Sequence, residues 1–266
     1  MNIKSPRKNS ERIKIILVED DEEIRNYLND HLSKKYNVFE AENGKIAWEI
    51  LQNNEDIQLI LSDLMMPVLD GIALCKMVKQ NIQYCHIPFI LLTAKNEVVH
   101  QLKGLQVGAD DYIGKPFIYS ILETKISNIF KQHQRIIKRY ATNPELNPIE
   151  LVSNQLDEEF ISKAVKIVEK YLDDSEFSVE IFSREMNMHR SGLHFKIKAI
   201  TGESASDFIR KVRFSAACKL LIEGRHNVAE ISTMIGMSPT YFSSTFKKYI
   251  GCLPREYVKN IRNKPD

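Results

Sequence analysis

The sequence predicts two folds in series: a doubly wound α/β domain with a parallel sheet, then an all-α domain made of tandem helix-turn-helix units. Three observations predict this. Short, continuously apolar, β-branched runs alternate with helical periodicity in the first half. From Leu156 onward the pattern is almost wholly helical. Within that second half the chain repeats itself at an offset of 49 residues.

Taken in order, residues 1–11 are polar and basic, lack the apolar stretch of a signal peptide and read as a linker. IKIILV (13 to 18), IQLILS (57 to 62) and IPFILLT (87 to 93) read as parallel strands covered on both faces, and DDYIGKPF (110 to 117) holds a shorter fourth. Between the first two, EEIRNYLNDHLSKK (22 to 35) has helical spacing. Sheets of this kind bind ligands beyond the carboxyl ends of their strands, and here those ends carry Glu19 and Asp20, Asp63, Thr93 and Lys115. Three clustered carboxylates repel one another unless a cation neutralises them, and an all-oxygen donor set suits Mg²⁺. One carboxylate can then accept a phosphoryl group, with Thr93 hydrogen-bonding one phosphoryl oxygen and Lys115 pairing with another. A lone Asp after a strand is usually a helix cap; the combination is what points to a phosphate-accepting metal site. The Lys115-Pro116 bond admits the cis form, which would aim the lysine inward.

The segments LVEDDEEIR (17 to 25), LSDLMMPVLDG (61 to 71), LLTA (91 to 94) and GADDYIGKPF (108 to 117) resemble the receiver domain of two-component response regulators, over residues 12–130. The resemblance implies a flavodoxin-like fold with Asp63 as phosphoacceptor. Glu19 and Asp20 would be the acidic metal pair, and Met65 would offer a backbone carbonyl to Mg²⁺. Thr93 and Tyr112 would be switch residues, with Lys115 beside them and Asp21 outside the pair. It implies a histidine kinase as partner, separate or in the same chain, and no enzymatic activity beyond phosphorylation and dephosphorylation of Asp63 itself.

Residues 131–155 read as a linker whose first part extends the preceding helix until Pro144 and Pro148 stop it. Ile136 and Ile137 are expected in a core, with a dimer seam as the alternative. LDEEFISKAVKIVEKYLDD (156 to 174) carries a broad apolar stripe. In the repeat, Val179 matches Val228, Met186 matches Ile235, Met188 matches Met237, Leu193 matches Phe242, Ile197 matches Phe246 and Gly202 matches Gly251. Each copy reads as helix, tight turn, helix, with Asn187 and Gly236 at matching turn positions that tolerate a left-handed backbone. Between the copies, residues 204–224 read as one long helix capped by a serine and ended by Gly224. Pro239 suits a first helical turn.

A helix-turn-helix lays its second helix in the major groove of DNA, and two joined units can reach successive groove faces. The segments FSVEIFSREMNMHRSGLHFKIKAITGESASDFIRKVRFSAACKLL (177 to 221) and VAEISTMIGMSPTYFSSTFKKYIGCLPREY (228 to 257) resemble the AraC-type DNA-binding domain across roughly residues 157 to 260, which sets a domain at 156–262 followed by a tail at 263–266. By position in that pattern, Ser191, His194, Phe195, Thr240, Tyr241 and Ser244 are base-facing candidates, and Arg190, Lys198, Lys247 and Lys248 are phosphate contacts. Core burial is the competing reading for Phe195 and Tyr241. Two departures stand out: the family often carries Arg where this chain has Phe195 and Ser244, and the second turn reads as one residue shorter than usual. Guanine readout is therefore not expected at those positions, and DNA shape takes a larger share.

Charge follows this division. Residues 11 to 130 carry 12 Lys/Arg against 18 Asp/Glu, and residues 190 to 264 carry 14 against 5, so an acidic half suits a metal and a basic half a polyanion. Cys75, Cys85, Cys218 and Cys252 lack metal-ligand spacing and read as buried thiols in a reducing compartment. No apolar run approaches the roughly 20 residues that span a bilayer, so the segment is expected to be cytoplasmic and free of membrane contact. A phosphate-cradling G-x-x-x-x-G-K-[ST] loop is absent, and the position two after Asp63, where an aspartyl phosphatase would need a second acid, is Met65. The expected function is a phosphorylation-controlled transcription regulator that binds double-stranded DNA and forms a homodimer when phosphorylated. The alternative is a phosphorylation-dependent protein-interaction module. The arrangement also resembles the C-terminal part of hybrid two-component sensors.

Overall fold

The computed structural model describes residues 12–94, 107–142, 148–152 and 154–262. The polar start, Pro144 and the tail at 263–266 lie outside them. Contacts divide the chain into two compact units, one ending at His133 and one beginning at Gln134.

The first unit holds β1 (Lys14–Val18), α1 (Glu22–Leu32), β2 (Asn37–Ala41), α2 (Gly44–Asn53), β3 (Leu59–Asp63), α3 (Gly71–Gln80), β4 (Phe89–Ala94) and β5 (Asp111–Lys115), and α4 (Tyr119–Thr142) begins in it. The five strands pair in parallel in the order β2-β1-β3-β4-β5. Strand periodicity of two sends alternate residues to opposite faces. Ile16, Val18, Ile60, Phe89 and Leu91 pack with Leu74 and Val78 on one face. Ile15, Leu17, Leu59, Leu61, Ile90 and Leu92 pack with Leu28, Leu122 and Ile126 on the other. The chain reverses its direction of travel across the sheet between β1 and β3, and that switch point opens a crevice at the strands' carboxyl ends. Strand β2, NVFEA, is an edge strand with a mostly half-buried pattern, which the apolar-run criterion passes over.

The second unit contains a 3₁₀ turn (Pro148–Leu151), α5 (Gln155–Lys170), α6 (Val179–Glu185), α7 (Arg190–Thr201), α8 (Ala205–Glu223), α9 (Val228–Met234), α10 (Pro239–Ile250) and α11 (Pro254–Arg262). Helix α5 ends at Lys170 rather than near 174, because the chain turns at Tyr171 and Asp174, whose N–H donates to the Tyr171 carbonyl at 3.4 Å. Ser204 caps α8 and Gly224 ends it in the left-handed region at φ 67°. One apolar cluster gathers α5, α6, α7 and the start of α8 around Phe160, Phe182, Leu193 and Phe208. A second gathers the rest of α8 with α9, α10 and α11 around Phe214, Ile231, Phe242 and Phe246. Two expectations fail. Ile136 is 41% exposed rather than in a core, and Cys252 is half-buried, unlike the three buried cysteines.

Candidate functional site

The acidic pocket begins where β1 ends. Glu19 is buried and its N–H donates to the Ala41 carbonyl at 3.0 Å, while Asp20 is exposed. Asp21 accepts from the Ile24 N–H at 3.0 Å and so caps α1, which removes it from the acidic pair. Asp63 is the last residue of β3. Its Oδ1 accepts from the Leu64 N–H at 2.8 Å and its Oδ2 lies 3.0 Å from Lys115 Nζ, which also donates to Glu19 Oε2 at 2.7 Å. The structure thus brings Glu19, Asp63 and Lys115 together, and oxygens of Glu19, Asp20 and Asp63 lie within 4.8 Å of one another.

Electrostatics follow from this crowding. Burial pushes the Glu19 carboxyl up to about 7, against the Lys115 hydrogen bond that lowers it and with Asp63 raising it further. Burial works to lower the Lys115 ammonium, but its bonds to Glu19 and Asp63 outweigh that, so its pKa is raised. The donor set, three hard carboxylates held at a strand-end crevice, fits Mg²⁺. Met65 lies in the loop after Asp63 with a 58% exposed side chain.

Thr93 lies on β4 and Tyr112 on β5, the two strands that follow β3 in the sheet. Strand register sets Asp63 opposite Leu92, Thr93 opposite Gly114 and Ala94 opposite Lys115. The Thr93 side chain is fully buried, and neither its Oγ1 nor the buried Tyr112 hydroxyl has a hydrogen-bond partner among the described residues. Burial, reinforced by Cys75 and Asp110, pushes the Tyr112 phenol up to about 12. The Lys115-Pro116 peptide is cis.

Two supports of the pocket carry little sequence signal. Arg25 on α1 donates to the carbonyls of Glu19 at 2.7 Å and Asp20 at 3.3 Å, bracing the acidic loop. A Cβ at Gly71 would lie 2.1 Å from the Asp63 carbonyl oxygen, so only glycine lets α3 start against the end of β3. Asp70 caps that helix, accepting from Ala73 N–H at 2.7 Å.

In the second unit the two copies share the hydrogen bonds of their turns. Asn187 N–H donates to Arg184 and Met188 N–H to Ser183, each at 3.0 Å; Gly236 N–H donates to Thr233 at 3.0 Å and Met237 N–H to Ser232 at 2.9 Å. Asn187 and Gly236 have φ of 56° and 65°. Residues 186–189 and 235–238 make turns of equal length. Leu193, Ile197, Phe242 and Phe246 point into the cores, which turns the opposite faces of α7 and α10 outward.

On α7, Ser191, His194 and Phe195 are half-buried, with Val179 and Ala205 beside them in a groove of about 480 Å³, and Lys198 is exposed. Arg190 is exposed and pairs with Glu180 at 2.8 Å. On α10, Thr240, Ser244, Lys247 and Lys248 are exposed and Tyr241 is 48% exposed, which overturns the core reading for that tyrosine. Ser244 Oγ donates to the Tyr241 carbonyl at 3.0 Å. Lys196 is buried: it is ion-paired with Asp157 of α5 and lies 4.8 Å from the Phe160 ring centroid. It fixes the back of α7 and leaves the outward face to its neighbours.

The sequence matches the response regulator receiver domain over residues 15–127 and a helix-turn-helix domain over residues 182–260. "Histidine kinase P4" of Formosa agariphila is 37% identical over 248 residues, which are 93% of this chain and 18% of that protein, so the chain spans under a fifth of that relative's length. "Probable transcriptional regulator ycf27" of Porphyra purpurea is 36% identical over 128 residues, 48% of this chain and 51% of its own. "Chemotaxis protein CheY homolog" of Campylobacter jejuni is 30% identical over 119 residues, 44% of this chain and 92% of that protein. Likeness along nearly all of that last protein, joined to a second match downstream, makes this chain a member of the two-component response regulators, with a receiver domain followed by an AraC-type helix-turn-helix domain.

Proposed function

We propose that a histidine kinase phosphorylates Asp63 and that this controls sequence-specific binding of double-stranded DNA by α7 and α10. The observation that carries the reading is a buried hydroxyl, Thr93 Oγ1, with no partner among the described residues, on the strand beside a carboxylate already paired with a lysine. The Asp63 carboxylate attacks phosphorus, the P–N bond to the donor histidine breaks, a P–O bond forms, and the histidine nitrogen leaves with the bonding pair. Lys115 pairs with the transferred oxygens and Thr93 donates to one of them, satisfying its orphaned hydroxyl. Tyr112 then repacks toward the space that Thr93 gives up. Glu19, Asp20, Asp63 and the Met65 carbonyl would hold Mg²⁺, which neutralises the clustered carboxylate and phosphoryl charge when bound.

In the helical half, Arg190, Lys198, Lys247 and Lys248 contact phosphates, and Ser191, His194, Phe195, Thr240, Tyr241 and Ser244 face bases. Phosphorylation adds about −1.5 to −2 of charge, which biases the receiver surface toward a homodimer. Similarity to a named histidine kinase favours a kinase within the same longer polypeptide.

The test is labelling with a small phosphodonor and Mg²⁺, followed by duplex selection with and without the donor. Wild type should incorporate one phosphoryl group and bind its selected duplex more tightly, with the steep salt dependence of phosphate contacts; Asp63→Asn should remain unlabelled and unresponsive. Labelling retained in Asp63→Asn would move the phosphoacceptor elsewhere, and absence of duplex binding in both states would favour the protein-interaction reading.

A further inference from the structure

The two helix-turn-helix units are joined by more than the covalent path through α8. Tyr249, in the last turn of α10, donates its hydroxyl to Asp207 Oδ1 at 2.9 Å. Asp207 sits in the first turn of α8, just past the end of α7, where Ser204 Oγ donates to its Oδ2 at 2.7 Å. Arg210 closes the triangle: its Nη1 donates to Asp207 Oδ1 at 2.7 Å and to the Tyr249 hydroxyl at 3.2 Å, and its guanidinium lies 5.7 Å from the Tyr249 ring centroid. Along the chain, Asp207 and Tyr249 are separated by most of α8, by α9, by most of α10 and by two turns, each turn a place where the angle between helices can change.

The repeat shows that the fold itself does not require this tyrosine. The position matching Tyr249 in the first copy is Ile200, a buried aliphatic residue in its own cluster. The second copy places a hydroxyl there and aims it back at the junction of the two units.

We infer that Tyr249, Asp207 and Arg210 are positioning residues that fix the phase of α10 relative to α7 and thereby set the half-site spacing the protein accepts. This rests on the reading of α7 and α10 as DNA-contacting helices. One added base pair moves the second groove face by about 3.4 Å along the duplex and about 35° around it. A rigidly clasped pair of helices cannot follow that displacement, whereas a pair joined only by α8 and its turns can.

The experiment measures duplex affinity of the full chain, wild type and Tyr249→Phe, on the selected operator and on versions with one base pair added or removed between the half-sites. Tyr249→Phe keeps the ring, and with it the contact with Phe214 at 5.4 Å between ring centroids, and removes only the hydroxyl. Wild type is expected to lose at least about tenfold in affinity on the shifted duplexes. Tyr249→Phe should lose about threefold or less on the same duplexes, with its thermal midpoint nearly unchanged. Asp207→Asn, the second variant, should relax the spacing preference in the same direction. An unaltered preference in the folded variants overturns the proposal while leaving DNA binding intact. A wild type that does not distinguish its operator from random duplex overturns the DNA reading and the proposal with it.

Discussion

A buried hydroxyl without an acceptor costs about 1–3 kcal/mol, and among the described residues Thr93 Oγ1 has none. Such a cost is understandable if a phosphoryl oxygen on Asp63 is the missing acceptor. Thr93→Val, which keeps the shape and removes the orphan, should therefore leave the unphosphorylated receiver unchanged or up to about 1–2 kcal/mol more stable, by urea denaturation. The same variant should still label on Asp63 yet lose the phosphorylation-dependent gain in duplex affinity. A destabilised Thr93→Val would mean that the hydroxyl already has a partner. Glu19, Asp20, Asp63, Thr93 and Lys115 were legible in the sequence because each is a polar residue interrupting an apolar strand end. Lys196 was not, because a lysine on an amphipathic helix looks solvated and its partner Asp157 lies 39 positions away. The lack of hydrogen-bond partners for Thr93 Oγ1 and the Tyr112 hydroxyl among the described residues has no sequence mark.

At the level of elements, the repeated turn puts one demand on two residues in different surroundings. Asn187 and Gly236 share the left-handed conformation, which costs a residue with a Cβ about 1–2 kcal/mol. Asn187 is exposed, whereas a Cβ on Gly236 would lie 3.0 Å from the Leu172 carbonyl oxygen and 3.1 Å from Asp173 backbone atoms. Arg213 holds that same loop, donating to the carbonyls of Tyr171 at 3.2 Å and Asp174 at 2.5 Å, which resists its displacement. Gly236→Ala should cost about 2–3 kcal/mol and Asn187→Ala about 1 kcal/mol, read from denaturation of the helical half. Equal losses would show that the 171–174 loop yields. The sequence shows the turn and its left-handed position plainly, since residue type alone encodes them. It hides the loop that backs the turn, as it hides β2, whose half-exposed edge position leaves no continuous apolar run, and the early end of α5, which depends on a turn rather than on a proline or glycine.

Across the whole molecule, the four apolar clusters fall two to each unit, so each unit has a core of its own. The proposed ligands divide the same way: the acidic pocket lies wholly in the first unit and both outward helices in the second. A ligand that binds only a native site stabilises the unit holding that site, by about 2.7 kcal/mol at 100 times its dissociation constant. Calorimetry should therefore show two transitions. Saturating Mg²⁺ should raise one of them by about 8–12 °C, and operator duplex should raise the other. Addition of a phosphodonor tests the link between them, since a switch that reaches the DNA-binding half must alter the transition that carries no phosphate. If phosphorylation of Asp63 moves only the Mg²⁺-sensitive transition, with duplex affinity unchanged, the free energy of the phosphoryl group stays inside the receiver, and control of DNA binding would then require a partner beyond this chain.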